Sequence, residues 1–416
     1  MSYSKIMIMS YQTTILSNGL RVIHQFNESP VTYCGFAVNA GTRDELENEK
    51  GMAHFVEHML FKGTTKRKSY HINNRMESVG GELNAYTSKE ETLIYSIFPG
   101  NELNRAVELL CDLVFNSVFP EHELEKEAEI VIDEINSYKD NPSELIFDEF
   151  ENLLFPGEQL GHNILGDEES LESFDSESCK TFVSRLYRPN NMVFFSLGRN
   201  DIKDTVKLLE KYIACEPVNQ AVLNRVKPVR SELASQEEII GMDTNQAHVM
   251  IGTRSFDMYD KRRSALYLLN NILGGPGMNS RLNVSLREKS GIAYSVESNL
   301  TPYTDTGVFS IYFGTDEKKY KRGITLVMRE LQKLREKPLT ESQLSAAKKQ
   351  LQGQLIVANE NKENMALGMG KAFLRYNKYD SLEEIQKRIE AVTSEELHQI
   401  ACELFNEQNL LTLIIK

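Results

Sequence analysis

Apolar and polar positions alternate along the first part of the chain in the manner of strands. Residues 13–16 and 20–25 predict a hairpin turned at Ser17-Asn18-Gly19, where Asn-Gly supplies the left-handed backbone that a tight turn requires. A third strand is predicted over 31–38, after the break at Pro30, and the polar run 41–50 reads as a loop. The period then lengthens. Residues 51–63 carry apolar positions at helical spacing, a helix over 72–79 stops at Gly80-Gly81, and strands are predicted over 82–87 and 91–97. Helices follow over 101–115 and, after Pro120, over 121–138, the latter ending at Asp140-Asn141-Pro142. A further strand is expected over 191–198, and residues 216–232, with no clear period and two prolines, read as a linker. Beyond it the pattern restarts with a strand over 246–254 and a helix over 264–273. The run 308–314 plus a helix repeats the run 94–100 plus a helix, which predicts an internal duplication. The expected organisation is an N-terminal domain over 1–217, a linker over 218–232 and a homologous C-terminal domain over 233–416. Both are α+β, each an antiparallel or mixed sheet flanked by helices.

Within the helix of 51–63 stands His54-Phe55-Val56-Glu57-His58. Residues one helical turn apart share a face, so His54 and His58 point the same way and Glu57 sits beside them. This is the inverted form of the His-Glu-x-x-His zinc pattern, and it needs a third ligand. The helix of 121–138 is rich in carboxylates, most of which form a solvated face. Glu127 and Glu134 share one face two turns apart, with Ile130 and Val131 expected to pack nearby, which makes these two the candidates for the missing ligand and its neighbour. The strand Asn84-Ala85-Tyr86-Thr87, entered from Gly80-Gly81, fits an edge that accepts an extended peptide; it fits an inner strand after a glycine cap equally well. The matching helix of the second half, 264–273, contains no histidine, so only the first half can hold this metal.

Composition narrows the partners. A formal net charge of −13 argues against nucleic acid and favours basic ligands. Apolar residues at 41% and charged residues at 26% describe a globular chain of more than one domain over 416 residues. No run is long enough to span a bilayer, and the first residues lack the apolar core of a signal peptide, so a cytoplasmic location is expected. Cys34, Cys111, Cys179, Cys215 and Cys402 are scattered without any Cys-x-x-Cys, which predicts small buried apolar side chains and neither disulfides nor a thiolate metal site.

The run His54–Thr64, followed by Gly80-Gly81-Glu82-Leu83-Asn84-Ala85-Tyr86-Thr87 and by Glu127 through Glu134, resembles the pitrilysin family of zinc peptidases, in particular the branch that contains the mitochondrial processing peptidase β-subunit and its bacterial relatives. The resemblance covers essentially the whole chain. It implies that His54, His58 and Glu134 hold one Zn²⁺ per chain, that Glu57 is the general base on a zinc-bound water, and that Glu127 orients a ligand from behind. Arg287 and Tyr294, in Leu286–Tyr294, are similar to the family's Arg and Tyr pair that binds the peptide carbonyl. A zinc endopeptidase for short or unfolded, basic peptides is the function implied, with two such chains closing a clamshell chamber. The partner would be an identical chain or an inactive homologue. The different reading to weigh against it is a non-catalytic subunit of a heterodimeric complex, which would keep the fold and lose the metal residues. The departure from the family pattern lies at His162 and Asn163, where a basic residue is expected.

Overall fold

In the computed structural model, which describes residues 11–214, 221, 223–229 and 237–416, the chain forms two units, each built on its own sheet. The first contains the described residues up to Ile135, with His162–Arg225 and Asn359–Ser381. Its strands are β1 (Gln12–Ile15), β2 (Arg21–Phe26), β3 (Val31–Val38), β4 (Glu82–Thr87), β5 (Thr92–Pro99) and β6 (Met192–Gly198), in the spatial order β1-β2-β6-β3-β5-β4. Only β2 and β6 pair in parallel. The Asn-Gly hairpin is present, with Gln12 opposite His24 and Gly19 at φ 88°.

The second unit contains Asn136–Gly161, Val226–Ala358 and Leu382–Lys416. Its strands are β7 (Glu237–Ile240), β8 (Ala247–Ser255), β9 (Ala293–Pro302), β10 (Gly307–Thr315) and β11 (Leu411–Ile415), in the order β7-β11-β8-β10-β9. Here β7 and β11 are the parallel pair. Leaving out β1, the two sheets have the same order and the same single parallel pairing, as a duplicated unit must. The histidine helix, Met52–Leu60, lies between β3 and β4; the helix Arg263–Gly274 lies between β8 and β9, the equivalent place.

The units are not the contiguous halves 1–217 and 233–416. The helix Lys362–Tyr376 packs on the first sheet, placing Met365, Ala366, Met369, Phe373 and Leu374 against Ile23, Ala37, Val193 and Phe195. Gly370 allows the approach, since a Cβ there would lie 2.5 Å from the Phe195 ring. Conversely, Pro142–Leu154 packs Ile146, Phe150 and Leu154 against Met250, Leu411, Leu413 and Ile415 of the second sheet. β6 is buried at every position, and a strand apolar on both faces requires cover on both. Each large apolar side chain so covered contributes about 1.5–3 kcal/mol.

Two smaller expectations fail. Ile130 is 49% exposed and only Val131 of that pair is buried. Cys402 is exposed, beside His398, whereas Cys34, Cys111 and Cys179 are buried as expected. Cys215 and residues 218–220, 222 and 230–232 of the linker lie outside the described residues. Among the described residues, no helix is long and apolar enough to cross a membrane.

Candidate metal centre

The histidine helix begins at Gly51, whose φ of 87° and close approach to the Leu165 carbonyl, 2.6 Å from where a Cβ would sit, both require glycine. A glycine cannot cap the helix with a side chain, so Glu45 does so from the preceding loop. Its two carboxylate oxygens accept from the backbone N–H groups of Gly51 and Ala53 at 3.0 and 2.8 Å. On this helix the His54 and His58 rings lie one turn apart, with centroids at 4.5 Å and planes tilted by 58°. The acidic helix, Glu121–Lys139, lies opposite and brings Glu134 Oε2 to 3.9 Å from His54 Nε2 and 3.8 Å from His58 Nε2.

These three side chains offer ligand atoms that all lie within 4.8 Å of one another. Ligands about 2.0–2.1 Å from a shared tetrahedral centre stand about 3.4 Å apart, so small side-chain movements bring the set to coordination distance. Two imidazoles and one carboxylate form a donor set typical of a catalytic zinc, with one position left for water or substrate. Behind it, Glu127 is buried and accepts from His58 Nδ1 at 2.9 Å, which fixes the tautomer with Nε2 free to ligate. Glu127 is itself paired with Lys62. His54 Nδ1 is buried without a hydrogen-bond partner among the described residues, so the ring's polar outlet is Nε2, toward Glu134.

Burial, and then the charge of His58, push His54 down to about 4, so it is a neutral ligand at ordinary pH. Burial also acts to lower His58, but the hydrogen bond and charge of Glu127, with Glu57 and Glu134, outweigh it and leave His58 raised. The reverse holds for Glu127, where burial is outweighed by His58 and Lys62 and the carboxyl falls below its usual range. Burial raises Glu57, against a hydrogen bond from Thr87 Oγ1 to Glu57 Oε2 of 2.6 Å. A carboxylate raised toward neutrality, held by one oxygen beside two imidazoles, is suited to move a proton.

Comparison with known proteins decides the family. The chain is 32% identical over 398 residues to the uncharacterized zinc protease YmxG of Bacillus subtilis, covering 95% of this chain and 96% of that one. It is 31% identical over 408 residues to an uncharacterized zinc protease of Streptomyces coelicolor, covering 96% of this chain and 88% of the relative. The family model for insulinase, peptidase family M16, matches residues 21–168, and that for the peptidase M16 inactive domain matches 173–351. The chain belongs to peptidase family M16, the pitrilysin family. Solved M16 folds agree: a peptidase M16 inactive domain from Pseudomonas fluorescens superposes with a TM-score of 0.90 at 21% identity over 98% of each chain. A Helicobacter pylori protease gives 0.87 at 21% identity over 98% of this chain and 99% of that one.

In this M16 chain, β4 is an edge strand of its sheet, with Asn84, Ala85, Tyr86 and Thr87 half-buried on it and Lys371 lying 4.8 Å from the Tyr86 ring. Arg287 and Tyr294 lie in the second unit, where the guanidinium stands 5.1 Å from the Tyr294 ring and Tyr294 is 83% exposed. The run 41–50, expected to be an ordinary polar loop, is largely buried: Thr42, Arg43, Asp44, Glu45 and Glu49 are all covered. Arg43 pairs with Glu90 at 2.6 Å, and Arg225 clamps Asp44 at 2.7 Å. Arg225 and Arg375 both donate to the Glu90 carbonyl, at 2.9 and 2.7 Å, in the turn that follows Thr87. The partners of this charge cluster are far apart in the chain, and no local pattern in the sequence announced them. The charged run directly before the histidine helix was the one available signal.

Proposed function

We propose that this chain is a zinc-dependent endopeptidase acting on short or unfolded, basic peptides. The observation that carries this reading is the convergence of His54, His58 and Glu134 around one point, with Glu57 buried next to them and tied to an edge strand. When bound there, zinc supplies Lewis acidity toward the scissile carbonyl and toward water. Glu57 takes a proton from the attacking water as the new C–O bond forms. It passes that proton to the amide nitrogen as the C–N bond breaks. Thr87 holds Oε2 of Glu57 and leaves Oε1 for the transfer. The open side of β4 offers main-chain donors and acceptors to an extended peptide, which gives affinity without demanding one sequence. Arg287 and Tyr294 are assigned to polarising the substrate carbonyl, and the net charge of −13 draws basic peptides. The expected assembly is a homodimer.

The reading is tested with a quenched basic peptide. Cleavage should disappear on chelation and return on adding about one equivalent of Zn²⁺ per chain; cleavage indifferent to chelator would refute it. Arg287→Ala should lower turnover about 100-fold or more with zinc content unchanged, and loss of metal in that variant would count against its role. Glu127→Ala removes the carboxylate behind His58 and should weaken zinc binding about 10–100-fold, measured by competition with a chromophoric chelator.

A further inference from the structure

In the second unit, the helix Tyr320–Glu336 and the segment just before β9 wall a cavity of about 360 Å³, within the range of small-molecule sites. Arg329, Glu330 and Lys333 enter it from one face of the helix; Arg281, Ser285, Lys289 and Ser290 enter it from the other wall. Four cations thus face one carboxylate, in a chain whose formal charge is −13. Glu330 is buried and already engaged by Lys333 at 2.7 Å. Arg281, Arg329 and Lys289 have no side-chain hydrogen bond or ion pair among the described residues, nor do the hydroxyls of Ser285 and Ser290. Arg281 is half-buried, and burial lowers its pKa while the Glu330 charge offsets part of that, so its guanidinium is partly desolvated with no hydrogen-bond partner among the described residues. Ser285 lies on a wide π-turn, Asn283–Glu288, closed by Lys289 N–H to the Val284 carbonyl at 3.0 Å; such turns are rare and concentrate at functional sites.

We propose that this cavity binds a small molecule carrying a diphosphate group. Arg281 and Arg329 donate in forked fashion to phosphoryl oxygens, Lys289 adds a point charge, and Ser285 and Ser290 donate from the π-turn side. One phosphoryl group carries about −1.5 to −2 at neutral pH, so three unpaired cations suit two linked groups better than one. The cavity contains none of the metal residues, which lie in the other unit, although its π-turn also carries Arg287, which the proposed function assigns to the substrate carbonyl.

The test is calorimetric titration of the full-length, zinc-loaded protein with inorganic pyrophosphate at constant ionic strength. Saturable binding at about one site is expected, tighter than for inorganic phosphate, and Arg281→Gln with Arg329→Gln should weaken it about 10–100-fold. Lys289→Gln changes only an exposed side chain, so it cannot unfold the protein, and it should weaken binding about threefold or more. Titration with ADP separates the sources: equal or tighter binding than pyrophosphate identifies a nucleotide, weaker binding a free diphosphate. No saturable heat, or binding unchanged in the pocket variants, would overturn the proposal. So would binding that survives those variants and vanishes in Glu134→Ala, because the ligand would then sit on the metal.

Discussion

Glu57→Gln is expected to lower kcat/KM for a basic quenched peptide by about 10²–10⁴-fold, while zinc stays near one per chain. That range corresponds to about 2.7–5.4 kcal/mol of transition-state stabilisation. Glutamine keeps the shape of the side chain and can still accept from Thr87 through its amide oxygen, but it cannot take a proton. The loss should therefore fall on kcat, with KM nearly unchanged. Stability sharpens the test. Burial raises the Glu57 carboxyl, so the folded state disfavours its charged form, and the stability it contributes at low pH is lost as pH rises through that raised value. A neutral glutamine removes that cost, and the metal-free variant at neutral pH should melt no lower than the metal-free wild type. Equal cleavage by the two proteins would show that Glu57 is not the base.

Glu134→Ala should remove both metal and activity together. Glu134 is the sole carboxylate in the cluster that faces both Nε2 atoms, and its side chain is one-third exposed, so its loss leaves the fold intact. Outer partners of a metal ligand typically contribute 10–100-fold to affinity, so loss of a ligand itself should cost about 100-fold or more. Metal analysis after dialysis against a weak chelator should find zinc far below stoichiometric, with residual cleavage in proportion. Full zinc occupancy in Glu134→Ala would exclude it as a ligand. Glu127→Ala should give the intermediate result, because His58 survives there without its orienting carboxylate.

Much of this centre is legible in the chain because helical geometry is local. His54, Glu57 and His58 share a face wherever their helix packs, and Glu127 and Glu134 share another for the same reason. That Glu134 rather than Glu127 faces the imidazoles was readable only through the family resemblance, since both satisfy the same periodicity. The structure divides them by what surrounds each: Glu127 is buried against His58 Nδ1 and Lys62, and Glu134 points at the two Nε2 atoms. Ile130 shows the limit of the pattern, because an apolar residue at helical spacing turned out to face solvent. The buried charges of 41–50 mark a second limit. Polar composition reads as a loop on the surface, yet Arg43, Asp44 and Glu45 are covered because each finds a partner: Glu90, Arg225 and the first N–H groups of the histidine helix.

The sequence by itself determined the α+β class, the repeated strand-helix pattern, the metal-binding pentapeptide and the acidic helix that answers it. All of these rest on periods of two or of 3.6 residues, which short stretches of chain carry. Only the tertiary structure decided that Lys362–Tyr376 covers the first sheet and Pro142–Leu154 the second, that β4 is an edge, and that Glu45 caps the helix of the ligands. A buried strand demands an apolar cover and a helix end demands an acceptor, but neither demand names which distant segment will meet it.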